Sequence, residues 1–287
     1  MPRRVEPADA VAVAELLNDY SRRLYGEGEV TAAEVAHWWS DPEVEAWLDD
    51  GAYADLQRGA ENERLWIDFR GAPSQQLLDV VERRALELAA PGALIRVVVA
   101  APEQELRKLF EGADYAYVRS SFTMRIELDA EPEPPAWPEG VAVRPGAAED
   151  ARALYDLYVD AFADHWDFHA EPFEEWRRWN LEAPGADPSL WLLAEADGTL
   201  AGFSLGSPHR SGEPDAGWIA ILAVRAPWRG RGLGLALLRA SFAELFRRGR
   251  RIVELGVDAE NLTGAVRLYE RAGMHVSRRS DTLEKPA

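Results

Sequence analysis

Apolar residues recur at helical spacing in "DAVAVAELLNDYSRRLYG" (residues 9–26) and again in "EDARALYDLYVDAFADHW" (149–166), each behind an acidic cap. A second, tryptophan-rich helical stretch follows in both places, "AAEVAHWWSDPEVEAWL" (32–48) and "EPFEEWRRWNLEA" (171–183). Next comes a strand-like run, "LWIDFRG" (65–71) against "GWIAILAV" (217–224), then a long helix, "SQQLLDVVERRALELAA" (74–90) against "GLALLRASFAELFRRG" (234–249). A further strand, "LIRVVVA" (94–100) against "RIVELGVD" (251–258), precedes a short helix, "EQELRKLFEGA" (103–113) against "LTGAVRLYERAG" (262–273), and closing strands. The chain therefore reads as one pattern written twice. Helices that lead into β–α–β–α–β predict an α/β fold in each half, with a sheet of mixed strand direction.

Between the copies lies "DAEPEPPAWPEG" (129–140), with four prolines, one glycine and almost no apolar periodicity. It reads as an extended linker, so the expected domains are 1–128 and 141–287. A length of 287 residues fits two ordinary cores.

Composition narrows the chemistry. No cysteine is present, which removes disulfides, thiol nucleophiles and thiolate-bound metals. No histidine or carboxylate spacing resembles a metal site, so none is expected. A net charge of −18 argues against nucleic acid and suits a cationic or amine partner, although acidity also serves solubility alone. No apolar run reaches the roughly 20 residues of a membrane span, and the first residues lack a secretory signal's apolar core. A cytoplasmic protein, monomeric or homodimeric and with no membrane partner, is expected.

One segment reverses the acidity. Residues 225–251 hold eight arginines against a single acid, Glu244. Within them "RAPWRGRGLG" joins strand to long helix, where the first half has only "GAPS". A helix start carries unpaired N–H groups and partial positive charge, which attract phosphate. Gly230, Gly232 and Gly234 clear side chains from those N–H groups, and Arg229 and Arg231 add charge. A tight turn with a solvated basic rim is the plainer alternative. The loop lacks the Lys-Ser/Thr of a P-loop and comes too late in its domain for a dinucleotide fingerprint.

These residues resemble the GCN5-related N-acetyltransferases, the GNAT family. The family's acyl-coenzyme A loop, [QR]-x-x-G-x-[GA], is matched by Arg229, Gly232 and Gly234. Its second signature, N-x(3)-A-x(3)-Y-x(3)-G-[FM], is matched by Asn261, Ala265, Tyr269, Gly273 and Met274. The resemblance covers 141–287 well and reaches 1–128 as a decayed copy, similar in layout to tandem GNAT proteins such as the mycothiol synthases. It implies two GNAT-like domains, each a mixed, mostly antiparallel twisted sheet flanked by helices, with the second working and the first empty.

The resemblance further implies acetyl transfer from acetyl-coenzyme A to the primary amine of a small molecule, by direct attack and without a covalent enzyme intermediate. The amides of Arg229, Gly230, Arg231, Gly232, Leu233, Gly234 and Leu235 would hold the pyrophosphate. The strand "AILAV" would splay open, and Ala223 and Val224 would pair with the pantetheine arm. Asn261 would touch the coenzyme, though asparagine also caps helices. Tyr269 would protonate the departing thiolate, its alternative role being packing. Glu254 is the first candidate for the base that deprotonates the amine, with His165, His169 or water behind it. Trp166, Trp176 and Trp179 either line an acceptor pocket or form a seam between halves, and their repetition at Trp38, Trp39 and Trp47 favours the seam. A coenzyme-binding module without catalysis is the non-enzymatic alternative.

Overall fold

A computed structural model describes the chain apart from Glu29, Pro184, Gly185, residues 209–214, Leu262 and the side chain of Ala60. Two compact units result, and the first is not contiguous in sequence. The first comprises Met1–Ser121 together with Arg278–Ala287, and the second is built from residues 122–277. The expected boundaries placed the final strand in the second half and residues 122–128 in the first. Both segments are strands that pair within the other unit's sheet, so local periodicity could not assign them.

The first unit runs β1 (Arg3–Arg4), α1 (Ala10–Tyr25), α2 (Ala32–Trp39), β2 (Val44–Asp49), β3 (Ala52–Arg58), β4 (Arg64–Gly71), α3 (Gln75–Leu88), β5 (Leu94–Ala100), α4 (Gln104–Gly112) and the start of β6 (Ala116–Glu127), which belongs to the second unit from Phe122 on. The second runs β7 (Val141–Pro145), α5 (Ala151–Phe162), α6 (Phe173–Asn180), β8 (Trp191–Ala196), β9 (Thr199–Ser207), β10 (Ala216–Val224), α7 (Leu233–Arg247), β11 (Ile252–Asp258) and α8 (Ala265–Arg271), and the last strand, β12 (His275–Pro286), belongs to the first unit from Arg278 on. β1–β2, β2–β3, β3–β4 and β5–β12 pair antiparallel, as do β7–β8, β8–β9 and β9–β10, while β4–β5 and β10–β11 are parallel. The expected mixed, mostly antiparallel sheets flanked by helices are what the chain forms.

Corrections fall on local detail. The stretch 32–48 is helical only to Trp39, because Pro42 ends it and "VEAWLD" begins β2. The tryptophans differ in burial. Trp176 is fully buried in its own unit, against Tyr155 and Tyr158 at ring distances of 5.6 and 5.7 Å. Trp47 is buried in the first unit's core, and Trp166 is exposed. No described helix is long and apolar enough to cross a membrane, and among the described residues no group of acids and histidines is arranged to hold a metal.

Two layers position the site. In the second unit α7 packs on one face of the sheet through Leu238, Phe242 and Leu245, and α5 and α6 pack on the other through Leu154, Leu157 and Trp176. β10 serves both faces by changing phase. Its register against β9 slips between Ile219 and Ile221, leaving Ala220 as an extra, bulged residue. Gly217 and Ile219 therefore face α7, while Ile221 and Ala223 join the α5–α6 core.

Candidate active site

The parallel pairing of β10 and β11 runs from Ala216↔Ile252 to Ile219↔Leu255 and stops there, although β10 continues to Val224 and β11 to Asp258. Beyond the bulge the strands part. A cavity of about 430 Å³ occupies the wedge, walled by the ends of both strands, the start of α7, α8 and the end of α5. Ala223 and Val224 line it as expected, and their outer edge stays paired to Phe203 and Gly202 of β9. A strand with one edge paired and the other facing a cleft offers backbone groups to an extended ligand.

At one end of the cavity stands the glycine loop. Gly230 and Gly232 have φ of +72° and +88°, and a Cβ at either would meet no atom within 4 Å. Glycine is needed there for the left-handed backbone, and the space above it is open. The first helical hydrogen bond of α7 runs from the Ala236 N–H to the Gly232 carbonyl at 3.0 Å, so the N–H groups of Leu233, Gly234 and Leu235 point out of the helix start. Gly234 has a different reason. A Cβ there would lie 3.2 Å from Leu268, so glycine lets α7 and α8 approach. Leu233 is fully buried and anchors the turn.

The loop arginines do other work than the sequence predicts. Arg229 donates from Nε to the Val224 carbonyl (3.0 Å) and from Nη2 to the Ala161 carbonyl (2.7 Å), tying the loop to β10 and α5. Arg231 lies over the Trp228 ring at 5.1 Å. Their charge stays near the loop, but Arg229 is a brace for the turn. Asn261 lines the cavity while its Oδ1 accepts from the Thr263 N–H (2.9 Å) and the Ala265 N–H (3.4 Å), which organises the entry to α8.

Tyr269 also lines the wedge. It is 7% exposed, packs with the residues that face α7, and contributes to the cavity wall. Burial pushes its phenol up to about 12, so the hydroxyl keeps its proton at neutral pH. His165 also lines the cavity, its ring 4.4 Å from that of Phe162. Desolvation, assisted by the Arg229 charge, lowers its pKa and favours the neutral imidazole. His169 is exposed, with Nδ1 2.9 Å from the Asp167 carbonyl, and does not line the cavity.

Glu254 departs from expectation. It sits opposite Trp218, one residue before the strands part, and is fully buried. Arg125 Nη1 lies 3.5 Å from its Oε1 and the Ser277 hydroxyl 3.4 Å from the same oxygen. It does not line the cavity, so it is not placed to take a proton there directly. The sequence missed this because Arg125 and Ser277 reach Glu254 from strands more than twenty residues away along the chain. It also missed Asp258, the one carboxylate among the described residues lining the cavity.

The first unit repeats the frame and fills it. Its β4–β5 pairing likewise stops at Ile67↔Val97. Phe69 and Phe110 are fully buried, with rings 5.8 Å apart, and Tyr115 adds a third ring 5.5 Å from Phe110. The loop before α3 is closed: the Ala72 N–H donates to the Gly51 carbonyl (2.8 Å), and a Cβ at Gly71 would lie 2.3 Å from that oxygen. The helix start is capped by Ser74, which accepts from the Leu77 N–H and donates to Asp49 at 2.7 Å. The chain's own carboxylate stands where an anion would bind.

Comparison with known proteins agrees with this geometry. Residues 151–274 match the family model of the acetyltransferase (GNAT) family. A mycothiol acetyltransferase from Geodermatophilus obscurus is 36% identical over 94% of this chain and 92% of its own length. One from Thermobispora bispora is 38% identical over 58% of this chain, a match that spans little more than half, 57%, of that relative. Among solved structures, a GCN5-related N-acetyltransferase from Sphaerobacter thermophilus superposes with a TM-score of 0.80 at 33% identity, covering 100% of this chain and 95% of that one. A tandem GNAT protein from the clavulanic acid biosynthesis pathway has the same TM-score at 14% identity, covering 100% and 98%, and shares the fold. The chain belongs to the GNAT family of acetyl-coenzyme A-dependent acetyltransferases, in the tandem form.

Proposed function

We propose that the second unit transfers an acetyl group from acetyl-coenzyme A to the primary amine of a small molecule, by direct attack and without a covalent enzyme intermediate. The observation that carries this reading is the wedge itself: strands that part at Ile219 and Leu255 around a cavity lined by both the open helix-start glycines and a buried phenol. The pyrophosphate sits on the amides of residues 230–235, where partial positive charge and three glycines meet. The pantetheine arm runs along the free edge of β10. An N–H near the bulge polarises the thioester carbonyl as charge develops on its oxygen.

The amine arrives protonated and first loses a proton. His165, neutral and in the cavity wall, takes that role in place of Glu254. His165 releases that proton to solvent; the nitrogen lone pair then adds to the thioester carbon, the C–S bond breaks as Tyr269 passes its proton to the leaving thiolate, and the extra proton on the new amide nitrogen returns to the Tyr269 oxygen, leaving the neutral amide, the coenzyme thiol and the phenol. Glu254, beside Trp218 in the paired stretch, is buried and positions the strand pair through Arg125 and Ser277. The first unit, with its wedge filled, binds no coenzyme.

Likeness to mycothiol acetyltransferases over nearly the whole chain favours a mycothiol-type acceptor within this class. The test is free-thiol release from acetyl-coenzyme A with a panel of amines, the acceptor of mycothiol acetyltransferases among them. Turnover with that acceptor well above the other amines establishes the specific reading, and turnover with another amine replaces it. Coenzyme binding without turnover on any amine would make the chain a binding module.

A further inference from the structure

We propose that Arg271 and Arg267, on the outward side of α8, hold the 3′-phosphate of the coenzyme and make the protein distinguish coenzyme A from its 3′-dephospho form. The proposal rests on the coenzyme reading above. Three observations carry it.

The first is continuity. The cavity in the wedge extends past Leu268 to Arg271, and a second groove, lined by Arg267, Glu270 and Arg271, begins at that same arginine. A ligand whose pyrophosphate lies on the glycine loop reaches this groove next, because Gly234 at the start of α7 packs against Leu268 of α8.

The second is charge left uncommitted. Arg267 and Arg271 are exposed and stand four residues apart on one helical face. Arg271 Nε donates to the Arg267 carbonyl at 3.3 Å, and Arg267 folds back over Gly264. Among the described residues neither has a carboxylate partner, although most arginines of this acidic chain are paired, as Arg84 with Glu45 and Arg144 with Asp150. Glu270 shares the groove and offsets part of the charge, leaving a net positive rim.

The third is need. The chain carries a net charge of −18, so its overall field repels a polyanionic coenzyme. Arg229 is committed to two carbonyls and Arg231 to the Trp228 ring. A phosphate monoester carries about −1.5 to −2 at neutral pH, and arginine presents paired N–H donors that fit its oxygens.

Titration calorimetry with coenzyme A and with 3′-dephospho-coenzyme A tests this on the full chain. The parent protein is expected to bind the dephospho form about 10- to 100-fold more weakly, the range of one or two charge-assisted hydrogen bonds. The double variant R267Q/R271Q should bind coenzyme A at that weaker level and leave the dephospho affinity unchanged. R83Q, which removes an exposed arginine of the first unit, should change neither. Equal affinity of the parent for both ligands overturns the proposal while leaving the coenzyme reading in place. So does a double variant that loses both affinities alike. No binding of either ligand by the parent overturns the reading and the proposal together.

Discussion

Tyr269 and Phe110 occupy matching places in the two short helices, and one oxygen separates them. Both rings are buried, at 7% and 0% exposure, so packing alone does not explain the hydroxyl. Tyr269→Phe should leave stability and coenzyme affinity nearly unchanged. General-acid contributions are about 100- to 10,000-fold, and a thiol is already a good leaving group, so the low end applies. Turnover should fall about 10- to 100-fold, with little change in KM for acetyl-coenzyme A. A variant that turns over at the parental rate would make Tyr269 a packing residue. His165 is tested by pH. Desolvation and the nearby Arg229 lower its pKa, and a base must be unprotonated to work. The rate should therefore hold below the ordinary histidine pKa and fall only as pH drops through the lowered one. His165→Gln should remove that acid limb together with most of the rate. An unchanged limb assigns the proton to another group.

The elements were legible in the sequence where their period was clean. α1, α3, α5 and α7 stand where apolar spacing puts them, and so do β4, β5, β10 and β11. β2 was not, since "VEAWLD" follows a helical run with no break except Pro42. The wedge was legible only as a resemblance. What opens it is the bulge at Ala220, and "AILAV" carries no sign that one residue will leave the register. The glycine loop was legible in its glycines and misread in its arginines, because the carbonyls that Arg229 binds belong to two separate elements. Gly232→Val tests the element as a unit. A branched residue at φ +88° is strained by about 1–3 kcal/mol, and its side chain enters the open space over the helix start. The melting temperature should drop modestly, since the loop is surface-lying, and coenzyme affinity should collapse. Unchanged binding would place the pyrophosphate elsewhere.

At the scale of the molecule, the same framework appears twice and has been resolved in opposite ways. In the second unit the strands part around a cavity, the loop amides are open, and the phenol is retained. In the first, three rings fill the corresponding space, the Ala72 N–H is bonded to Gly51, and Asp49 sits at the start of α3. Opening that wedge would separate Phe69 and Phe110, and removing a buried ring from its packing costs about 3–5 kcal/mol. A phosphate at α3 would also face the Asp49 carboxylate, whose pKa is held low by the Ser74 hydroxyl and the chain's terminal amine, so it stays charged at neutral pH. Both costs fall on the first unit alone. Calorimetric titration with acetyl-coenzyme A should accordingly give a stoichiometry near one per chain, and Gly232→Val should abolish the whole signal. A value near two, or half of the heat surviving in that variant, would mean that the first wedge opens despite its rings and its carboxylate.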